Sequence, residues 1–444
     1  MSEQGNAVLN ADPRTRAVQR RVVISLSLAQ LFSGLGHGAG LAIGSLLAVD
    51  LTGSEALAGT STMAISLAAA LAALPLAGAA ARSGRRRALV IGLLLALLGS
   101  ALMALAPVTG SFAVLLAGSA LLGVGNAANL QARFAAVDLA EPQHRGRDLA
   151  FVVWSITVGA VAGPNLIRPG AELGAALGLP ESSGPFLFSM AGMAIGATLL
   201  LVGLRPDPLR YARSRRTSTG TEAATGTDGT LPVQRRGTLR TAMAAVRQQP
   251  MAMLGLAAVV GAHLVMVAVM SMTPVHLQAL DHAGGHQHSQ TDTFAIIGFT
   301  ISLHMAGMYA LSPLMGWLTD RVGRVRTIVI GQLMLLAAAA LAGVGQQDTW
   351  LVGAGLMLLG LGWSASVIAG STLLAESVPE SGRVPAQGLS DTLMGAAGAL
   401  GAAFSGPVLA ALGFAGLNAA AAVVAVILLG AAARRRRVRA GAAS

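Results

Sequence analysis

Residues 316–327 read GWLTDRVGRVRT, a short polar stretch set between two long apolar ones. The run before it, 293–316, carries no charged residue, and the run after it, 326–345, carries only Arg326. Each matches the ~20 apolar residues needed to cross a bilayer core, so the stretch is a loop between two membrane helices. Its content is patterned: Gly316, Asp320, Arg321, Gly323 and Arg324 give G-x-x-x-D-R-x-G-R. Glycine lets the chain turn sharply at a helix end. Charges of both signs there can engage neighbouring helix ends through dipole and ion-pair attraction. In the first half, AGAAARSGRRRALV (77–90) occupies the same kind of place, with Arg82, Gly84 and Arg85 present but Ala81 where the aspartate is expected.

Outward from this loop the whole chain is apolar: 54% of its 444 residues are hydrophobic and 11% charged, with a mean hydropathy of +0.67. A soluble domain carries roughly 25% charged residues, so most of this chain sits in lipid. Twelve apolar runs of spanning length follow one another, near 22–49, 56–80, 87–106, 112–136, 148–168, 185–204, 251–279, 293–316, 326–345, 350–376, 385–411 and 414–433. Between the sixth and seventh lies 205–250, rich in Ser, Thr, Gly and Arg and without apolar periodicity, which predicts a flexible or loosely helical linker. The expected organisation is a six-helix half (1–204), a cytoplasmic linker (205–250) and a second six-helix half (251–444). The fold class is an all-α membrane protein with twelve transmembrane helices in two pseudo-symmetric halves. Arg20 and Arg21 open the first run as RRVVISL, which resembles a twin-arginine signal. Its length and the spans behind it predict an uncleaved first helix instead.

All 30 basic residues are arginine and there is no lysine. Arg82, Arg85–Arg87, Arg145, Arg147, the linker, Arg321, Arg324, Arg326, Arg383 and the RRRRVR tail all fall on one side, with Arg168 the exception. That bias predicts both termini in the cytoplasm of a cell with this protein in its plasma (inner) membrane. It also accounts for the net charge of +11 without nucleic acid. No cysteine is present, so disulfides, thiolate metal sites and cysteine nucleophiles are excluded. No Walker A, metalloprotease, triad or dinucleotide pattern survives its context, and an enzyme is not expected.

The loop motif in this setting resembles that of the major facilitator superfamily, and the resemblance extends over essentially the whole chain. DLAEPQHRGRD (138–148) echoes AESVPESGRVPAQG (375–388), and AGPNL in the fifth span echoes SGPVL in the eleventh. The resemblance implies alternating access, with Gly316, Asp320, Arg321, Gly323 and Arg324 gating by locking helix ends in one state. Asp148 and Asp391 are the acidic candidates for that contact. Ser119 stands where many proton-coupled members carry an arginine, and no acidic residue sits at mid-membrane.

Five of the 17 methionines and six of the eight histidines lie between 263 and 308. In MVAVMSMTPVH (266–276), Met266 and Met270 share one helix face with His263 a turn below, and Met272 with His276 forms a pair on another. His304 and Met308 repeat the spacing in the eighth span. Thioether favours Cu(I), and imidazole suits copper, zinc and nickel. His282, His286 and His288 in the loop between these spans form a candidate outer capture site, feeding inward through His276 and Met272. An intramembrane histidine can equally relay protons or hydrogen-bond a substrate. His37, Asn126, Asn165 and Trp154, with Gln30, Asn129 and Trp363, are candidate cavity residues, since sites in such folds lie near the midplane.

The pairs M-x-x-x-M and H-x-x-x-M resemble those of the CcoA-like copper importers, a branch that also includes carriers of organic solutes. The resemblance implies Met266, Met270, His304 and Met308 as copper ligands, with copper as substrate rather than cofactor. Three functions stay open: a copper importer, a carrier of an organic small molecule or drug, and a metal sensor on a carrier fold. The expected partners are membrane lipid and the small substrate, with the protein a monomer.

Overall fold

The structure, a computed structural model, describes residues 13–136, 138–140, 145–218, 243–283 and 290–441. In the first half α1 (Pro13–Thr52), α2 (Thr60–Ser83), α3 (Arg85–Thr109) and α4 (Phe112–Ala135) are continuous spans. The fifth is assembled from α5 (Arg145–Ala162), a 3-10 turn (Gly163–Leu166) and α6 (Ile167–Ala176). The sixth is α7 (Pro185–Gly203), followed by the shorter α8 (Pro208–Ser218). In the second half α9 (Pro250–Ala283) leads to α10 (Gln290–Met305), a π-helical turn (Ala306–Ala310) and α11 (Ser312–Val322), which together make the eighth span. Next come α12 (Arg324–Val344) and α13 (Thr349–Ser377), and α14 (Glu380–Gly441), which folds back at Gly413 to make the last two passes. Among the described residues, ten stretches are long and apolar enough to cross a membrane. The broken fifth span and the fold at Gly413 complete the twelve.

Two spans expected to be continuous are interrupted, and proline explains both. Pro164 has no N–H for a helical ladder, and the chain tightens into the 3-10 turn beside Gly163. Pro313 leaves the Tyr309 carbonyl without its ladder donor, and the Ser312 hydroxyl donates to it instead at 2.7 Å. The two ends of the linker pack on the bundle. α8 is ordered against the bundle, with Arg213 donating to the Ala81 carbonyl at 2.8 Å, and Val246 is buried with Ala252, Leu256 and Leu374.

Each half packs internally: α1 against α5 and α7, α3 against α4, and in the second half α12 against α13 and α9 against α13 and α14. Glycines allow close helix approach, as where Gly99 and Gly118 face one another's backbones. The halves meet at the arginine-poor end. There Gly59, the cap before α2, abuts Ala402 of α14, and Gly298 of α10 abuts the Pro164 carbonyl. Asn165 donates to Ser302 across the same seam at 2.8 Å, and Arg168 reaches Asp292 at 3.6 Å. The one arginine that broke the orientation pattern therefore clasps the opposite half.

Candidate functional site

His304 lies on the last turn of α10, completely buried, immediately before the π-helical turn that holds Met308. Its Nδ1–H donates to the Leu356 carbonyl of α13 at 2.8 Å. The partner is acceptor-only, so this bond fixes the tautomer and leaves a lone pair on Nε2. That Nε2 is buried with no hydrogen-bond partner. Histidines that bind metals show this arrangement, with one nitrogen tethered to a carbonyl and the other free to coordinate. The seat is made by Gly360, whose missing side chain admits the backbone of His304 and Met308, and by Gly307 against the Met357 carbonyl. π-Turns of this kind occur often at functional sites.

The other histidines differ in their hydrogen bonding. His263 accepts from Trp363 Nε1–H on Nδ1 at 3.1 Å, so its proton sits on Nε2 and neither nitrogen offers a lone pair. Tyr309 packs edge-on to the same Trp363 at 5.9 Å, joining α9, the π-turn and α13 in one ring cluster. His276 uses Nε2 to reach the Gln346 carbonyl at 2.7 Å and stacks on Phe414 at 4.0 Å. His37 resembles His304: Nδ1–H donates to Ser33 at 3.0 Å, and Nε2 is sealed and unpartnered. His282 ends α9, but its side chain lies outside the described residues, as do His286 and His288 altogether.

Met266, Met270, Met272 and Met308 are all buried in one continuous core. Among the described residues no group of three or more His, Asp or Glu side chains could hold a metal ion. An ion near His304 thus depends on thioether sulfur. Of the cavity candidates, Asn165 is in the seam between halves, Asn129 donates to Ser33 at 2.7 Å, and Gln30 donates to the Asn129 carbonyl at 3.0 Å. Asn126 is part-buried on α4, and Trp154 is 51% exposed on α5.

At the arginine-rich end the two loops share one construction. Gly84 and Gly323 turn the chain at φ 93° and 95°, a region that disfavours side chains. The arginine after each reaches an acidic residue beyond the fourth or near the end of the tenth span: Arg85 to Asp138 at 2.9 Å, Arg324 to Glu376 at 2.8 Å. Glu376 raises the Arg324 guanidinium further above its ordinary value. Asp320 is exposed and lies 3.4 Å from Arg324, while Arg321 stacks over Trp317. Arg324 thus pairs with Glu376, and Asp148 accepts from Gln19 of α1 at 2.7 Å. Glu376 stands within the segment that echoes 138–148, which was the available signal for it. No signal in the sequence marked Tyr309 or the Leu356 carbonyl as neighbours of the histidines.

The chain is similar over nearly its full length to known membrane transporters. It is 36% identical to the uncharacterised MFS-type transporter YddS of Bacillus subtilis, over 90% of this chain and 88% of the relative. It is 25% identical to the riboflavin transporter RfnT of Brucella anthropi, over 90% of this chain and 92% of the relative. Among solved structures, a mutant form of the nucleoside transporter NupG superposes with a TM-score of 0.70 at 17% identity, covering 93% of this chain and 99% of that one. The sequence profile of the Major Facilitator Superfamily matches residues 26–293 and 285–443. With that match over both halves, the protein belongs to the Major Facilitator Superfamily and is a multi-pass membrane transporter, not an enzyme.

Proposed function

We propose that this transporter carries copper(I) inward across the plasma membrane by alternating access, as a monomer with both termini in the cytoplasm. The observation that carries this reading is the buried, unpartnered Nε2 of His304, with its ring oriented by Leu356 and Met308 one turn on. Neutral imidazole and thioether suit a soft monovalent ion and leave no permanent charge in lipid. Met266 and Met270, buried in the same core, would supply further sulfur. With the seam closed at the arginine-poor end, the arrangement corresponds to an inward-facing state if arginine marks the cytoplasm.

A second reading is supported by the similarity to a riboflavin transporter and by the Trp363, Tyr309 and His263 rings. In it the cargo is a planar heteroaromatic solute that stacks on these rings. One experiment separates the two. Uptake of radiolabelled copper and of riboflavin is measured in intact cells with the wild-type protein, His304→Ala and Trp363→Ala. Copper import requires wild-type copper uptake that His304→Ala abolishes at equal membrane abundance. Riboflavin uptake that Trp363→Ala alone abolishes would establish the second reading and sink the first.

A further inference from the structure

An energised carrier that moves protons needs a group that titrates within the membrane and is exposed to opposite sides in turn. All 19 acidic residues lie outside the spans or within about two turns of their ends. Ser119 at the fourth-span position is engaged with Ser61 at 2.8 Å. That leaves histidine. His263 and His276 are committed to Trp363 and Gln346, and His304 belongs to the proposed cargo site. His37 of α1 is the one left, with Nδ1–H fixed on Ser33 and Nε2 sealed without a partner.

Its surroundings connect it to the seam between the halves. Gly36 packs against Ser189 and Met193 of α7, and Gly38 packs against Gly163 and Pro164, where the fifth span breaks. The Pro164 carbonyl abuts Gly298 of the other half, and the next residue, Asn165, donates to Ser302. One residue away from His37, then, begins a continuous chain of contacts to the closure itself.

We infer that His37 is the proton-carrying group of the transport cycle, taking up a proton at Nε2 when the seam is open and losing it when the seam closes. The step is a simple protonation: the Nε2 lone pair takes a proton from water on the arginine-poor side, and the imidazolium gives it back to water on the other. In the closed arrangement an Nε2–H would face the Leu122 backbone, which does not complete a bond to that atom. An unpartnered buried charge is costly, so the proton stays only in a conformation that brings water or an acceptor to Nε2. The groups that meet the flanking Gly36 and Gly38, namely Gly163, Pro164, Ser189 and Met193, do not titrate. The charged residues of the elements around α1 stand toward span ends or beyond them: Arg82 on α2, Arg85–Arg87 on α3, Arg133 on α4, Arg145, Arg147 and Asp148 on α5, Arg168 and Glu172 on α6, the four arginines of α8, Asp281 on α9 and Asp292 on α10.

This inference rests on the carrier reading, and its choice of His37 over His304 rests on the proposed cargo site; its labelling test uses no cargo. The protein has no cysteine, so Ser302→Cys places a single thiol in the seam, where the native side chain is 6% exposed. Maleimide labelling of this variant in proteoliposomes is compared at about pH 5.5 and about pH 8, either side of the histidine range, each rate being divided by that of the unfolded protein at the same pH because only the thiolate reacts. Acid should raise labelling severalfold, and adding His37→Gln should remove that pH response while leaving the protein folded by size exclusion. Labelling that does not change with pH, or a response that survives His37→Gln, overturns the inference. A parallel arm measures cargo-driven acidification inside the vesicles with copper(I) and with riboflavin. Cargo movement without proton movement overturns the proton role alone, and no cargo movement with an intact labelling response overturns only the proposed substrates.

Discussion

His304 Nδ1 and the Leu356 carbonyl share a 2.8 Å hydrogen bond that leaves the other ring nitrogen buried and free. A ligand role and a packing role for this pair of spans make different demands on the neighbouring Met308. Met308→Leu keeps the volume and apolar character of the side chain and removes only the sulfur, a swap that costs little where packing is the whole role. If the thioether coordinates cargo, Met308→Leu lowers copper uptake by about 10–100-fold, the scale seen even for outer-shell changes at metal sites, with unchanged thermal stability. Undiminished uptake in Met308→Leu would assign Met308 to packing.

Gly360 admits the backbone of His304 and Met308 so closely that an added Cβ would clash with the His304 carbonyl. Gly360→Ala should therefore destabilise the protein by about 1–3 kcal/mol, the usual scale of overpacking in a filled core. Gly353, on the same helix, has open space where its Cβ would be. Gly353→Ala should be neutral or slightly stabilising, since alanine favours the helix by about 1 kcal/mol over glycine. Melting of both variants in detergent checks the contrast, and equal melting temperatures would contradict the close approach.

The spans, the two-half layout and the glycine-arginine loops were legible in the sequence because lipid demands long uncharged runs and a sharp helix end demands glycine. Gly84 and Gly323 were visible as motif positions, and their positive φ supplies the reason. The pairing of Arg324 with Glu376 was not legible, because it joins residues 52 apart in sequence through the packing of α12 on α13. Pro164 and Pro313 stand inside expected spans, and position alone does not say whether a kink, a 3-10 turn or a π-turn results. The histidines show the limit most clearly. Spacing placed His263 and His304 on the same footing, yet a tryptophan donor facing one and a carbonyl facing the other give them opposite lone-pair states.

The two loop ion pairs differ in exposure, and their deletion should differ accordingly. Arg85 and Asp138 are 14% and 12% exposed, so Asp138→Ala leaves a nearly buried guanidinium short of its partner. Removing one member of a buried pair costs about 3–5 kcal/mol, and a loss of about half that is expected here because both groups still touch solvent. Glu376 is 51% exposed, and Glu376→Ala should leave the melting temperature almost unchanged in moderate salt. Denaturation of the purified variants tests this; a larger loss for Glu376→Ala would reverse the assignment.

Arg168 and Asp292 hold the seam from opposite halves, but at 3.6 Å and with side chains 51% and 44% exposed. An exposed pair contributes about 0.2–1 kcal/mol, which biases an open–closed equilibrium by at most about fivefold. That is small against folding stability and large for a carrier that must visit both states. Arg168→Ala and Asp292→Asn should each shift the population toward opening at the arginine-poor end without lowering the melting temperature. The exchanged pair, Arg168→Asp with Asp292→Arg, should restore closure in part, because Arg168 also meets Glu172 at 3.1 Å and that contact turns repulsive. Raising salt should reproduce the single-variant shift in the wild-type protein, since charges this exposed are screened over a Debye length of about 8 Å at physiological ionic strength. Distances between spin labels on α6 and α10 report the two populations directly. A distribution that ignores both the substitutions and the salt would mean that Asn165–Ser302 and the glycine contacts close the seam on their own.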